Sequence, residues 1–546
     1  MKKFKIATGL LVGALLTAPL IALMFFANKL ADLAFVPFDF FDWLTRVMPG
    51  SLITFGIDTM IATITAIGLD VADVAKTAEQ ISAVFQFWLM GMVSGAIFWV
   101  VLQWQGVRPR PIVGLVIGAL FGLPLIAISL AIGQSPLNPL LNGLWLAGLF
   151  GGWGLAFGWV SGRIMPTLAA PPTPSSQTAD VQRLSRRQFL IRLGAGTATI
   201  TVAGAGLGAI LARAERQRAE TENDSMAHEV DETASAIFPN ANDPIVPVPG
   251  TRPEYTPIKD HYKVFIRTEP TTIEAAGYLL PITGLVEKPL MLTLDEIRNR
   301  YQARSQYVTL SCISGRVGTT LISTTQWTGA SLQEILTEAG LKPNARYLII
   351  QSGDGFYETV DLELIKNDSR IMLCYAWDGN TLPVEHGFPL RIWLPDHFGM
   401  KQPKWITNIE VTDTYQDGYW VERNWDKIAR VKTTSVIDTV AVDYLMERNG
   451  QTYVPVGGIA WAGDKQISKV EVRVDEGPWQ EAQLRSPLSE TTWVIWRYEW
   501  PFAAGPHTFE VRAYEGDGTP QIAEVAPARP SGATGLHSRE ADIPPA

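Results

Sequence analysis

Thr309-Leu310-Ser311-Cys312-Ile313-Ser314-Gly315-Arg316 carries one of the chain's two cysteines inside a region where short β-rich runs alternate with a few helices. Tyr347-Leu348-Ile349-Ile350-Gln351 and Leu390-Arg391-Ile392-Trp393-Leu394 read as strands, and residues 331–339 as an amphipathic helix. Alternation of this kind over residues 261–430 predicts a mixed α+β domain. Read by burial statistics alone, Cys312 is an inert strand cysteine. Cys374, in the apolar run Ile371-Met372-Leu373-Cys374-Tyr375, reads as a buried small hydrophobe. Two cysteines exclude a disulfide-rich scaffold and any four-cysteine zinc or iron–sulfur site.

Further motifs change the weight on Cys312. Leu321-Ile322-Ser323-Thr324-Thr325-Gln326-Trp327-Thr328-Gly329 follows it. Then come Tyr375-Ala376-Trp377-Asp378-Gly379-Asn380-Thr381-Leu382-Pro383 and His386-Gly387-Phe388-Pro389-Leu390-Arg391. Pro395, Gly399, Lys401 and the pair Lys404-Trp405 complete the series. In this order and spacing, over residues 265–521, the chain resembles the sulfite oxidase family of molybdenum-cofactor oxidoreductases. The resemblance implies a molybdopterin cofactor (Mo-molybdopterin) whose metal takes one protein thiolate, from Cys312. It implies that His386, Arg391, Lys401 and Lys404 bind the cofactor and its phosphate, a task suited to convergent cationic donors. Arg267 and Arg316 fall where the family lines its substrate pocket, so a small oxyanion or sulfur-oxide substrate is expected. Two departures bear on that substrate. Arg316 is followed by Val317 where sulfite oxidases proper carry a second arginine, and Trp425 stands where a pocket tyrosine is expected. Losing a cation and a hydroxyl weakens the case for a dianion such as sulfite and admits a less charged sulfur or nitrogen oxide, or a reductase.

The first third is hydrophobic enough to raise the mean hydropathy of the 546-residue chain to +0.11. Runs over residues 6–26, 84–104, 112–132 and 143–160 each suffice to cross about 30 Å of hydrocarbon. Lys2, Lys3 and Lys5 place the N-terminus in the cytoplasm, as Arg108 and Arg110 do for the loop after the second run. Counting the weaker run at 51–69, which carries Asp58, as a crossing would put those arginines outside, so it reads as a surface or re-entrant helix. Gly148, Gly152, Gly154, Gly158 and Gly162 suggest tight helix packing in the fourth span. No histidine precedes His228, so these helices cannot hold a bis-histidine haem, and an external cytochrome or quinone is expected as electron partner.

After a Pro/Ser-rich linker, Ser185-Arg186-Arg187-Gln188-Phe189-Leu190 precedes a mild apolar stretch, residues 193–211, and resembles a twin-arginine export signal. Read as an ordinary final span instead, it yields the same topology, with the following domain outside the cytoplasm at the plasma membrane. The expected organisation is a helical membrane domain at 1–165, a linker at 166–184, signal and final span at 185–213, and an extracytoplasmic linker at 214–260. The catalytic domain at 261–430 and an immunoglobulin-like sandwich at 431–525 follow, with a loosely ordered tail at 526–546. In the resembled family the sandwich often mediates dimerisation, so a homodimer is among the expected assemblies. A net charge of −9 argues against a nucleic-acid partner. Oxygen-atom transfer on a small sulfur compound is the leading expectation, with sulfoxide or N-oxide reduction as the alternative. A non-catalytic anchored binding module is the contrasting class; it would leave the cysteine and the anion-binding set without a use.

Overall fold

In the computed structural model, residues 6–67, 71–104, 110–133, 135–164, 176–228 and 238–545 are described, and they divide into two compact units. One comprises Met1–Met48 with Lys76–Ser225, the other Pro49–Ala75 with Met226–Ala546. The first unit is helical: α1 (Ile6–Ala31), α2 (Val36–Val47), most of α4 (Val71–Trp104), α5 (Pro111–Ile132), α6 (Pro139–Ile164) and α7 (Ser176–His228). Helix α3 (Gly50–Ala66) groups with the second unit. Among the described residues five helices are long and apolar enough to cross a membrane: Ile6–Ala31, Val74–Trp104, Pro111–Ile132, Pro139–Ile164 and Gln188–Ala214. The weak run forms a shorter apolar helix, below the length of a span.

Close backbone approach organises this bundle. A Cβ built on Gly114 would lie 2.0 Å from the Gly154 carbonyl oxygen, and one on Gly118 would lie 2.3 Å from that of Phe150. Only hydrogen fits, so α5 and α6 pack backbone to backbone. Gly13 of α1 meets Gly91 and Gly95 of α4 in the same way, and Trp153 donates from Nε1 to Thr17 Oγ1 at 3.2 Å. Of the five glycines singled out in sequence, Gly154 and Gly158 make the helix contact, whereas Gly148 and Gly152 have nothing within 4 Å of a built Cβ and Gly162 is exposed. The four-residue series therefore does not form one packing stripe. Lys2, Lys3, Lys5 and Arg108 lie outside the described residues, as do the side chains of Ser185, Arg186 and Arg187. The expected linker is only partly so, because from Ser176 onward its residues already belong to α7.

The second unit begins its regular structure with β1 (Leu279–Gly284), β2 (Leu290–Thr293), α8 (Leu294–Arg300), β3 (Ala303–Ser311), β4 (Ile322–Ser331) and α9 (Leu332–Ala339). It continues through β5 (Tyr347–Ser352), β6 (Tyr357–Asp361), α10 (Leu362–Asn367), β7 (Met372–Trp377), β8 (Asn380–Thr381), β9 (Arg391–Trp393) and β10 (Ile406–Thr412). Local chemistry sets the helix starts. Thr293 and Glu296 form a reciprocal capping box on α8, and Ser331 Oγ accepts from Glu334 N on α9, which stops at Gly340 with φ +69°. Two sheets result, one ordered β2-β1-β10-β5-β6 and one β3-β4-β7-β8 with β9 on β7. Leu280, Ile282, Leu348 and Ile409 from the first, with Ala330, Leu373 and Ile392 from the second, share one core. The opposite face of the second sheet buries Val308, Leu310, Trp327, Cys374 and Trp377, so Cys374 is a core residue as its sequence context implies.

Strands β11 (Thr434–Val440), β12 (Met446–Arg448), β13 (Gln451–Trp461), β14 (Ile467–Val474), β15 (Gln480–Glu481), β16 (Gln483–Leu484), β17 (Val494–Pro501), β18 (Gly505–Glu515) and β19 (His537–Ile543) follow. They form two antiparallel sheets, β11-β13-β17-β16 and β15-β14-β18-β19, around Val456, Val472, Trp496 and Phe509. Contrary to the expectation of a loose tail, β19 pairs with β18 from Gly505↔Ile543 to Val511↔His537. A strand that completes a sheet edge gains ladder hydrogen bonds that its Pro/Ala/Gly-rich approach does not advertise.

Candidate active site

Strand β3 ends by delivering Cys312. Its last residues, Val308 to Ser311, are buried, and Cys312 N then donates to Leu321 O at 3.0 Å, holding the turn between β3 and β4. The partly buried thiol lies 3.1 Å from Ser314 Oγ. Burial pushes its pKa up, opposed by the Ser314 hydrogen bonds and the charge of Lys404. A bound metal ion reverses that balance, because coordination deprotonates a thiol outright. Cys312, Arg316, Arg252, Lys432, Phe398 and Trp461 line one pocket, which joins the turn after β3 to strands of the C-terminal sheets.

The connection from β8 to β9 supplies the second part. His386 closes a 3₁₀ turn and is followed by Gly387 at φ +114°, where a Cβ would come 2.9 Å from Lys404 Cβ. Glycine is thus needed both for the turn and for the approach of Lys404. Arg391, the first residue of β9, donates from its Nη1 to His386 O at 3.1 Å and lays its guanidinium over Trp327 at 4.3 Å. Lys404 Nζ donates to Val264 O and Glu385 O, both at 3.1 Å. Against this cluster packs His261, its ring centre 5.0 Å from that of His386 and 4.6 Å from that of Trp377.

Among the described residues, six of the twenty buried polar side-chain atoms without a hydrogen-bond partner lie together here: both ring nitrogens of His386, His261 Nε2, Arg391 Nε, and the Nε1 atoms of Trp327 and Trp377. Natives leave few such atoms, and several on mutually packed side chains indicate a polar ligand. Burial drives the pKa of His386 well down and that of His261 to about 3, so both rings are neutral at ordinary pH. Arg391 is lowered by burial to about 10 and stays charged. Neutral rings, indole N–H groups and a guanidinium beside a reachable thiol are a donor and acceptor set that fits a metal-bearing pterin.

The other expected residues are placed differently. Lys401 is buried with its Nζ 2.5 Å from Glu358 Oε1 and 3.1 Å from Thr359 O. Its charge is met by a carboxylate of the protein. Arg267 is buried and does not line the pocket, whereas exposed Arg316 does. Trp425 packs with Ile313, Phe398 and Ile459 rather than facing the pocket. Three neighbours were not singled out by sequence reading: His261, Arg252 and Lys432. A lone histidine between Asp260 and Tyr262 has no periodicity to mark it, and the two cations come from segments flanking the motifs.

The family description "Oxidoreductase molybdopterin binding domain" matches residues 267–420. The NADH nitrate reductase 1 of Oryza sativa subsp. japonica is 28% identical over 281 residues, 41% of this chain and 31% of that protein. A protein-methionine-sulfoxide reductase subunit, YedZ1, of Azospira oryzae is 30% identical over 157 residues, 28% of this chain and 56% of that one. The crystal structure of the sulfane dehydrogenase SoxCD from Paracoccus pantotrophus is 20% identical with a TM-score of 0.46, covering 54% of this chain and 84% of that one. The chain spans about a third of the length of the nitrate reductases it matches. Residues 267–420 therefore carry a molybdopterin-binding domain of the oxidoreductase type, and over that part of its length the chain is similar to the nitrate reductases.

Proposed function

We propose that this chain is a membrane-anchored oxidoreductase that transfers an oxygen atom on a small sulfur compound outside the cytoplasm. The observation that carries this reading is the placement of Cys312, which packs against the core cluster holding Trp327 and Trp377 and lines the pocket with Arg316 and Lys432. Cys312 would ligate molybdenum, and His386, Arg391 and Lys404 would hold the pterin and its phosphate. When bound, the cofactor supplies two-electron oxygen-atom transfer. The protein's own part is to bind and orient: Arg316 and Lys432 attract the oxide's partial negative charge, and Arg252 is fixed by a 2.7 Å ion pair with Asp438. Lys401 has no place in this set, since Glu358 already neutralises it. Arg267, buried and outside the pocket lining, would take no direct part.

Within this class, reduction of a sulfoxide or N-oxide is the second reading. Phe398 and Trp461 give the pocket an apolar wall suited to an organic substituent, and a relative is named as a protein-methionine-sulfoxide reductase subunit. Positive charge at Lys2, Lys3, Lys5, Arg110 and Arg163 supports cytoplasmic placement of the N-terminus and of the loops before and after α5–α6, and with it a catalytic domain outside. A cytochrome or quinone would exchange electrons with the enzyme. The two C-terminal sheets would serve as the immunoglobulin-like module of a homodimer.

The test pairs content with turnover. Wild type and Cys312→Ser purified from molybdate-fed cells are compared for molybdenum and pterin per chain, then assayed in both directions. Near-stoichiometric metal in the wild type, with the visible spectrum altered in the variant, is expected. Sulfite-dependent dye reduction would support the oxidase direction, and reduced-dye consumption with methionine sulfoxide the other. Loaded enzyme inactive in both assays sinks the substrate class, and a folded wild type without metal or pterin sinks the cofactor assignment.

A further inference from the structure

His261 is 3% exposed, and its Nδ1 lies 3.2 Å from the carbonyl oxygen of Tyr262. A carbonyl can only accept, so the ring hydrogen sits on Nδ1 and Nε2 presents a lone pair. That lone pair has no partner among the described residues, although it faces a cluster that is otherwise rich in donors. Trp377 stacks against both imidazoles, with ring centres 4.6 Å from His261 and 4.5 Å from His386, and the two imidazoles lie edge to face at 70°. No hydrogen bond joins them in this arrangement. An unsatisfied buried acceptor is costly, and one packed among several unpartnered donors is suited to a polar ligand.

We infer that His261 is a cofactor-binding residue whose Nε2 accepts a hydrogen bond from an N–H of the pterin. This rests on the molybdopterin reading of the site. A pterin carries ring and exocyclic N–H groups as well as oxygens. The oxygens suit the indole N–H groups, Arg391 Nε and the N–H of His386, and the N–H groups need an acceptor. His261 supplies it. Burial keeps both imidazoles neutral, so they sit side by side without repulsion.

The experiment uses full-length protein in detergent from molybdate-fed cells, with His261→Phe, His261→Leu and His261→Gln beside the wild type. Pterin is measured by fluorescence after oxidative release, and molybdenum by elemental analysis, before and after repeated washing. The Phe and Leu variants lack the acceptor and are expected to retain about tenfold less pterin, the factor that about 1.4 kcal/mol makes in a dissociation constant. Gln keeps an acceptor and is expected to stay within about threefold of wild type. An altered Mo(V) resonance in the Phe and Leu variants is the second readout, independent of turnover. A folded Phe or Leu variant with wild-type pterin retention overturns the proposal. So does failure of all three variants to fold, which would make the imidazole a packing group. A wild type that itself lacks pterin would instead overturn the molybdopterin reading of the site, with the variants then indistinguishable from it.

Discussion

Lys401 and Lys404 stand three apart in one motif and meet different fates. Lys404 reaches the carbonyls of Val264 and Glu385 at the edge of the site, while Lys401 turns inward to Glu358, whose side chain is fully buried. Spacing brings both to the same loop, and only the carboxylate on β6 decides between them. The pair predicts its own test. Lys401→Met leaves Glu358 buried without a cation and should cost about 3–5 kcal/mol of stability. Adding Glu358→Leu should recover most of that loss. Metal per folded chain should match wild type in the double variant, measured by thermal unfolding and elemental analysis side by side. Metal loss in a stable double variant would return Lys401 to the cofactor set. The two cysteines make the same point at lower cost. Cys374 is enclosed by Trp377, Met372 and Trp393 within the core, whereas Cys312 sits one residue beyond a strand end, where a thiol can reach a metal.

At the level of elements, the membrane helices are held by glycines whose neighbours leave no room for a side chain. A Cβ on Gly154 would lie 2.2 Å from Gly114 O, and one on Gly148 would meet nothing within 4 Å. Gly154→Val should therefore separate α5 from α6 and lower the thermal stability of the detergent-solubilised chain by about 1–3 kcal/mol or more. Gly148→Val on the same helix should leave it unchanged. Equal effects would mean that helix propensity rather than packing governs this helix. In the second unit the predicted elements are recovered closely, because their signals are local. The helix expected at 331–339 appears as α9 with Ser331 as its cap, and the strands expected at 347–351 and 390–394 appear as β5 and β9. Strand β19 is not legible in the sequence because its pairing partner, β18, decides its conformation more than its own composition does.

For the whole chain, the arginine pair before the fifth apolar segment bears on how the domain after it would be delivered. Helix α7 carries the arginine pair and the fifth apolar segment on one continuous element. If the pair acts as a twin-arginine signal, Arg186→Lys with Arg187→Lys should leave residues after α7 protected from protease added outside intact cells, while the earlier helices still insert. Undiminished cleavage would make the arginines ordinary positive-inside anchors. The sequence by itself determined the number and position of the apolar spans, because the thickness of hydrocarbon sets their length whatever surrounds them. It likewise determined the α+β class of residues 261–430, since periodicity is written along the chain. Only the tertiary structure decided that Lys401 is an ion-pair partner, that Arg316 rather than Arg267 lines the pocket, and that His261 joins His386. Each of these depends on which side chains far apart in the sequence are buried against each other, and burial sets whether a charge is paired or a ring nitrogen awaits a ligand.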